Sequence, residues 1–187
     1  MSVGERDLFA AFEDRAAALG VDVWRVAASD DAARIIAELA SDLETSDVLL
    51  AAELATSAPR LLSDLAECAL HVQEASDLNE SRDAPLGLSL ARLAIAETGS
   101  VLLAETSLAD RGIGMLAATQ VVICPASSLV ASLDDSAGAL RAVARQPGGG
   151  YATLVTGPSR TADIERVLTV GVQGPARVVV VFVDGLG

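Results

Sequence analysis

The residues best suited to chemistry fall in two separated strings. In the first, Glu97-Thr98-Gly99-Ser100 is a polar interruption between the apolar runs Leu93–Ala96 and Val101–Ala104, the pattern of a β-hairpin spanning Arg92 to Glu105. A carboxylate at such a turn can be aimed into a cleft and tuned by partial burial, which makes Glu97 the candidate for acid–base work. An equally open reading is that Glu97 and Ser100 only close the turn while Gly99 supplies its strained φ. In the second string, Thr156-Gly157-Pro158-Ser159-Arg160-Thr161 follows the strand-like Ala152–Val155 and precedes an apparent helix. A strand-to-helix turn in a parallel sheet would lie at the carboxyl ends of the strands, where backbone N–H groups, hydroxyls and a forked guanidinium can hold an anion. Asp163 and Glu165 would oppose that anion unless Arg160 offsets them, and the alternative is that Ser159 or Thr161 simply caps the helix.

Other motifs are weaker. His71 is the chain's one histidine. It sits mid-strand with no nucleophile elbow elsewhere, which favours a packed or half-exposed strand residue over a catalyst and argues against a histidine metal site. Gly112-Ile-Gly114-Met-Leu-Ala117 matches the dinucleotide fingerprint in letters, but a strand beginning near Thr119 leaves no room for the helix that should carry the pyrophosphate. The glycines at 148–150 precede a strand and read as a flexible connection.

Composition removes whole classes of function. Every basic residue is an arginine, which excludes Schiff-base lysines, a pyridoxal-phosphate anchor and a P-loop lysine together. Cys68 and Cys124 are the two cysteines, too far apart for a metal or redox pair and too few to ligate an iron–sulfur cluster, so no cofactor is expected on this chain. The net charge of −13 repels phosphate backbones and anionic lipid, so neither nucleic acid nor a membrane is an expected partner. No apolar run approaches the ~20 residues that a membrane span needs, and the acidic start lacks the features of a secretory signal, so a cytoplasmic location is expected.

The elements that must position these residues alternate. Periodicity predicts an N-terminal helix over about 4–19 and a second one capped by Ser29, with Ala32, Ile35, Ile36, Leu39 and Leu43 on one face. A third should start at Pro59 with Leu61, Leu62 and Leu65 as its stripe. Strands are expected at 21–26, 47–52, 69–75 and 119–124, a helix at 133–145, and a closing β-α-β unit over 151–183. The run Val178–Val183 has the unbroken β-branched and aromatic character of a parallel strand covered on both faces. The polar stretch 76–85 is the candidate mobile loop. With 187 residues, 51% of them hydrophobic, the reading is a single α/β domain over 1–187: three layers, a mostly parallel sheet and a β-hairpin.

Two strings resemble one family. Thr156-Gly-Pro-Ser-Arg-Thr-Ala-Asp-Ile-Glu165 with Gly171-Val-Gln-Gly-Pro175, the signature within 152–183, closely resembles the C-terminal signature of lactate-utilisation protein C, the LUD domain family. Ala94-Ile-Ala-Glu97-Thr98-Gly99-Ser-Val-Leu-Leu103 looks like that family's other hallmark. The resemblance implies a fold similar to the ribose-phosphate isomerase, glucosamine-phosphate deaminase and CoA-transferase group. It also implies a cluster-free role in L-lactate oxidation beside iron–sulfur partner proteins. Departures are Gln173 where the family usually has histidine, Arg92 where an acid is common, and Leu116-Ala117-Ala118 where a proline is usual.

The combined expectation is a small anionic ligand at the carboxyl edge of the sheet, with Glu97 as the catalytic candidate. Thr98, Gly99, Gly157, Ser159, Arg160, Thr161 and Gln173 would be the binding residues, with no metal. Whether the chain is an enzyme is left open. The alternatives are acyl- or CoA-transfer or phosphosugar chemistry in the same cleft, for which CoA-transferases of similar fold offer a nucleophilic glutamate by analogy, and a structural assembly subunit. If Thr98 and Gly99 are the two central turn residues, Arg92 and Glu105 pair across the hairpin.

Overall fold

The computed structural model describes residues 3–82, 84–146, 150–162, 168–170 and 174–186. The chain begins as helix–strand alternation: α1 (Val3–Ala18), β1 (Asp22–Val26), α2 (Ser29–Asp42), β2 (Asp47–Leu50), α3 (Ala52–Ser57), α4 (Pro59–Glu67), β3 (His71–Glu74) and the short α5 (Leu78–Ser81). It continues through β4 (Leu86–Ile95), β5 (Ser100–Leu103), α6 (Leu108–Leu116), β6 (Thr119–Pro125), β7 (Leu129–Val130), α7 (Ala137–Ala144), β8 (Thr153–Val155), β9 (Arg160–Ala162), β10 (Leu168–Val170) and β11 (Arg177–Val183). The main sheet runs β1-β11-β6-β4-β2-β3 with every neighbour parallel. The protein is an α/β fold.

Strand alternation sorts the core into the two faces that make the layers. Val179, Val181 and Val183 pack with Ile36 and Leu39 of α2 and Leu61 and Leu65 of α4. Val178, Val180 and Phe182 point the other way, onto Phe12 and Ala16 of α1. There Phe9 and Phe12 meet the Phe182 ring edge-on, with centroids 5.5 and 5.0 Å away. On this second face α6 covers the neighbouring strands, its Ala109 and Ile113 clustering with Leu49 of β2.

Pro59 occupies the first turn of α4, as its fixed φ suits. Ser29 does not cap α2: Ala28 is the N-cap, and the Ser29 hydroxyl instead donates to Asp64 Oδ2 of α4 at 2.5 Å, tying two helices together. The stretch 76–85 contains α5, capped by Asp77 accepting from the N–H groups of Asn79 and Glu80. The helix expected from Leu133 starts as a 3-10 turn at Asp134–Ser136 before α7. The dinucleotide-like Gly112–Ala117 string lies largely inside α6, where a Cβ on Gly112 would stand 2.8 Å from Ser81 Oγ; it packs α6 on α5.

Two further expectations are overturned. The hairpin register places Ile95 opposite Ser100, Leu93 opposite Leu102 and Ala91 opposite Leu103, with Arg92 as an extra, bulged residue. The loop is wider than two residues because the Ala96 and Glu97 N–H groups are drawn to the carbonyls of Val130 and Ala131. Arg92 therefore does not face Glu105. The second concerns the C-terminal unit: β8 is antiparallel to β5, and the segment after Thr156 forms β9, paired antiparallel with β10, where a helix was expected. Among the described residues no helix follows Ser159 or Thr161. Asp163, Glu165 and Gln173 lie outside the described residues.

Candidate functional site

The two chemistry-bearing strings meet, but not at the carboxyl edge. Ser100 Oγ and Thr156 Oγ1 are 2.8 Å apart and join the hairpin to the second string. Gly99, at φ +65°, rests on α1 so closely that a Cβ would lie 2.7 Å from the Ala16 nitrogen. Gly157, at φ +91°, approaches Leu19, whose carbonyl accepts from Arg160 Nη2. The Ser159 N–H donates to the Pro175 carbonyl at 2.9 Å. Leu19 and Pro175 lie within three residues of the starts of β1 and β11, so this junction sits at the amino ends of those parallel strands. Placement at the carboxyl edge required β8 to be a parallel strand of the main sheet, and it is not.

Within the junction the contacts are those of architecture. Glu97 is exposed, and its Oε2 accepts the Leu133 N–H at 3.0 Å. Thr98 Oγ1 is buried without a hydrogen-bond partner. His71 is exposed on the edge strand β3, with Nδ1 3.4 Å from Asp47 Oδ1. It borders a cavity of about 670 Å³ beside the amino ends of β2, β3 and β4. Asp47 and His71 are both exposed there. Cys124 is buried in β6 and desolvation pushes its thiol up to about 12, so it is no nucleophile at neutral pH.

The carboxyl edge carries a different group of residues. Where β2 ends, the Ala52 N–H donates to Asp110 Oδ1 of α6 at 2.9 Å, and α3 turns away. A cleft of about 240 Å³ opens there, lined by Glu53 and Thr56 of α3, Leu90 and Arg92 of β4, Glu105, Thr106 and Asp110. The bulge aims Arg92 toward α3, where its Nη2 meets Glu53 Oε1 at 2.5 Å. Glu105, 7% exposed, and Asp110, 5% exposed, are the buried acids of the cleft, and Glu105 is the one whose titration burial shifts. Its Oε1 accepts from Ser89 Oγ at 3.0 Å, and Ser89 in turn accepts from Gln120 Nε2 at 3.2 Å, on the sheet face beneath α6. Burial, reinforced by the charges of Asp110 and Glu53, pushes the Glu105 carboxyl up to about 7, against the opposing Ser89 bond and Arg111. Glu105 also borders a small cavity of about 40 Å³ where the Arg111 guanidinium lies 4.0 Å over the Tyr151 ring.

A carboxyl poised near neutrality beside a guanidinium and two threonine hydroxyls can exchange a proton with a small polar ligand. The sequence pairs Glu105 with Arg92 across the hairpin because neither the bulge nor the bond to Ser89 is visible as a pattern. The available signal was an acid directly following the apolar run Val101–Ala104. Among the described residues no cluster of three or more His, Cys, Asp or Glu is arranged to hold a metal, and no helix is long and apolar enough to cross a membrane.

A family model of the LUD domain matches residues 9–183. Lactate utilization protein C of Bacillus velezensis is 30% identical over 114 residues, 60% of this chain and 47% of that protein. Its counterpart in Macrococcus caseolyticus is 33% identical over 113 residues, 59% and 48% of the two chains. The chain thus spans about half the length of the curated relatives it matches. The crystal structure of a DUF162 family protein from Deinococcus radiodurans shares the fold, with a TM-score of 0.72 at 22% identity over 98% of this chain and 100% of that one.

Proposed function

Because the chain belongs to the LUD domain family, we propose that it serves L-lactate utilisation as a cytoplasmic component that carries no cluster of its own and works beside iron–sulfur partner proteins. The observation that carries this reading is the family match over 9–183 together with relatives named lactate utilization protein C. With two cysteines in the chain, electron transfer through a cluster falls to the partners. In this reading the carboxyl-edge cleft receives a small organic acid. The turn residues Glu97, Thr98 and Gly99 and the loop residues Gly157, Ser159, Arg160 and Thr161 are a second place for an anion to contact the protein, and Gln173 is a binding candidate from the sequence alone.

Deleting the chain from its host tests the role: growth on L-lactate should fail while growth on glucose continues, and undisturbed growth on lactate would retire the proposal. Acyl- or CoA-transfer and phosphosugar chemistry are the competing readings, since the cleft also offers a carboxylate. A melting-temperature panel of L-lactate, pyruvate, acetyl-CoA and ribose 5-phosphate separates them, because a ligand specific to the native state raises the midpoint. Within that panel Arg160→Ala tests the junction. Loss of the ligand-induced rise with the fold intact supports binding there; an unchanged rise removes Arg160 from the site.

A further inference from the structure

We infer that the cleft between α3, β4 and α6 is a proton-coupled binding site for a small hydroxy- or oxo-carboxylate, in which Arg92 anchors the ligand's carboxylate and Glu105, held by Ser89 and Gln120, donates a hydrogen bond to it as a neutral acid. This rests on the reading that the cleft serves an organic acid, and it adds the residues, the ligand class and the proton.

The cavity of about 240 Å³ is below the size of typical drug-sized pockets, so it suits a ligand of few heavy atoms. Among the described residues Arg92 is the one guanidinium lining it, and its fork is matched to a carboxylate. Glu53 now holds that fork from a partly exposed position, so an incoming carboxylate can displace it.

The obstacle is charge. Glu53 on α3 and Asp110 on α6 face the same space, with Arg92 on β4 and Arg111 on α6 as the opposing cations. An ionised Glu105 would make three carboxylates around an anionic ligand. A neutral Glu105 removes that repulsion and supplies a donor.

The interior hydrogen bonds determine which oxygen donates. Gln120 Nε2 gives its hydrogen to Ser89 Oγ, so the Ser89 hydroxyl hydrogen is directed to Glu105 Oε1. The acid proton then resides on Oε2, which has no hydrogen-bond partner among the described residues. Desolvation keeps that proton in place up to about pH 7. A carboxylate arriving at or above that pH draws a proton onto Glu105 as it binds. No bond of the ligand is made or broken.

The test is calorimetric titration of the full chain with pyruvate and L-lactate, and with lactamide and glycerol as uncharged controls, at pH 6 and pH 8. Binding of the carboxylates should be about tenfold weaker at pH 8, the ratio of neutral Glu105 at the two values, with proton uptake measured from buffers of different ionisation enthalpy. Glu105→Gln should keep binding and lose the pH dependence, and Arg92→Gln should abolish binding. Ser89→Ala, which removes the bond that favours the ionised form, should move the midpoint upward; this supplies a second readout if Glu105→Gln fails to fold. Carboxylate binding that is absent, independent of pH or stronger at pH 8, or equal binding of the uncharged controls, would overturn the inference. pH-linked pyruvate binding with undisturbed growth on lactate would retire only the lactate role. Lactate growth that depends on the chain, with no carboxylate bound, would retire only the cleft site.

Discussion

Replacing Glu105 with Gln should make the protein more stable at pH 8 and change little at pH 5. In the folded chain burial raises this carboxyl from its ordinary 4.5 to about 7, so between those values the native state holds a proton that the unfolded chain has released. Stability from this group is present below the lower value, declines as pH rises between the two, and is level above about 7. The difference corresponds to about 3 kcal/mol at pH 8. Gln is a neutral isostere whose oxygen can still accept from Ser89, so the variant escapes that penalty and gains up to about 3 kcal/mol over the parent at pH 8. Urea unfolding of both proteins at pH 5, 6, 7 and 8 measures it, and taking differences cancels every other titrating group. A difference that stays constant across the series, or grows toward acid pH, would show that Glu105 is solvated and ionised in the native state.

Other outcomes follow from the same contacts. Gly99→Ala must bring a Cβ within 2.7 Å of the Ala16 nitrogen at φ +65°, so it should cost at least about 2 kcal/mol in denaturant unfolding; a neutral substitution would mean that the turn does not rest on α1. Ser100→Ala and Thr156→Val should show a coupling on the order of 1 kcal/mol in a double-mutant cycle, because their hydroxyls bond at 2.8 Å between the two strings; strictly additive effects would dissolve the junction. Arg92 and Glu105 should show no direct pairing of the cross-strand kind, while Arg92 and Glu53 should couple by less than about 1 kcal/mol, as a partly exposed ion pair does; cycles on both pairs decide. Phe182→Ala, which empties the centre of the Phe9–Phe12 cluster, should lower stability by about 3–5 kcal/mol as measured by urea unfolding, and a cost below 1 kcal/mol would contradict the packing.

Much of the fold was legible because it is written in short-range periodicity. The run Val178–Val183 declares a strand buried on both faces, the spacing of Ala32, Ile36 and Leu39 a helix with one buried stripe, and Pro59 a helix start. The family strings around Glu97 and Thr156 identify the domain. What only the tertiary structure decided depends on partners remote in sequence. The carbonyls of Val130 and Ala131 widen the hairpin loop, and the bulge at Arg92 turns that residue toward Glu53. Pairing with β5 makes β8 antiparallel, which moves Gly157 and Arg160 from the carboxyl edge to the amino ends of β1 and β11. Glu105 acquires its character in the same way: beyond the apolar run that precedes it, nothing in Ala104-Glu105-Thr106 distinguishes it from a surface acid. Burial beneath α6, with Ser89 and Gln120 behind it, raises the cost of its charge and leaves a neutral acid facing a cleft.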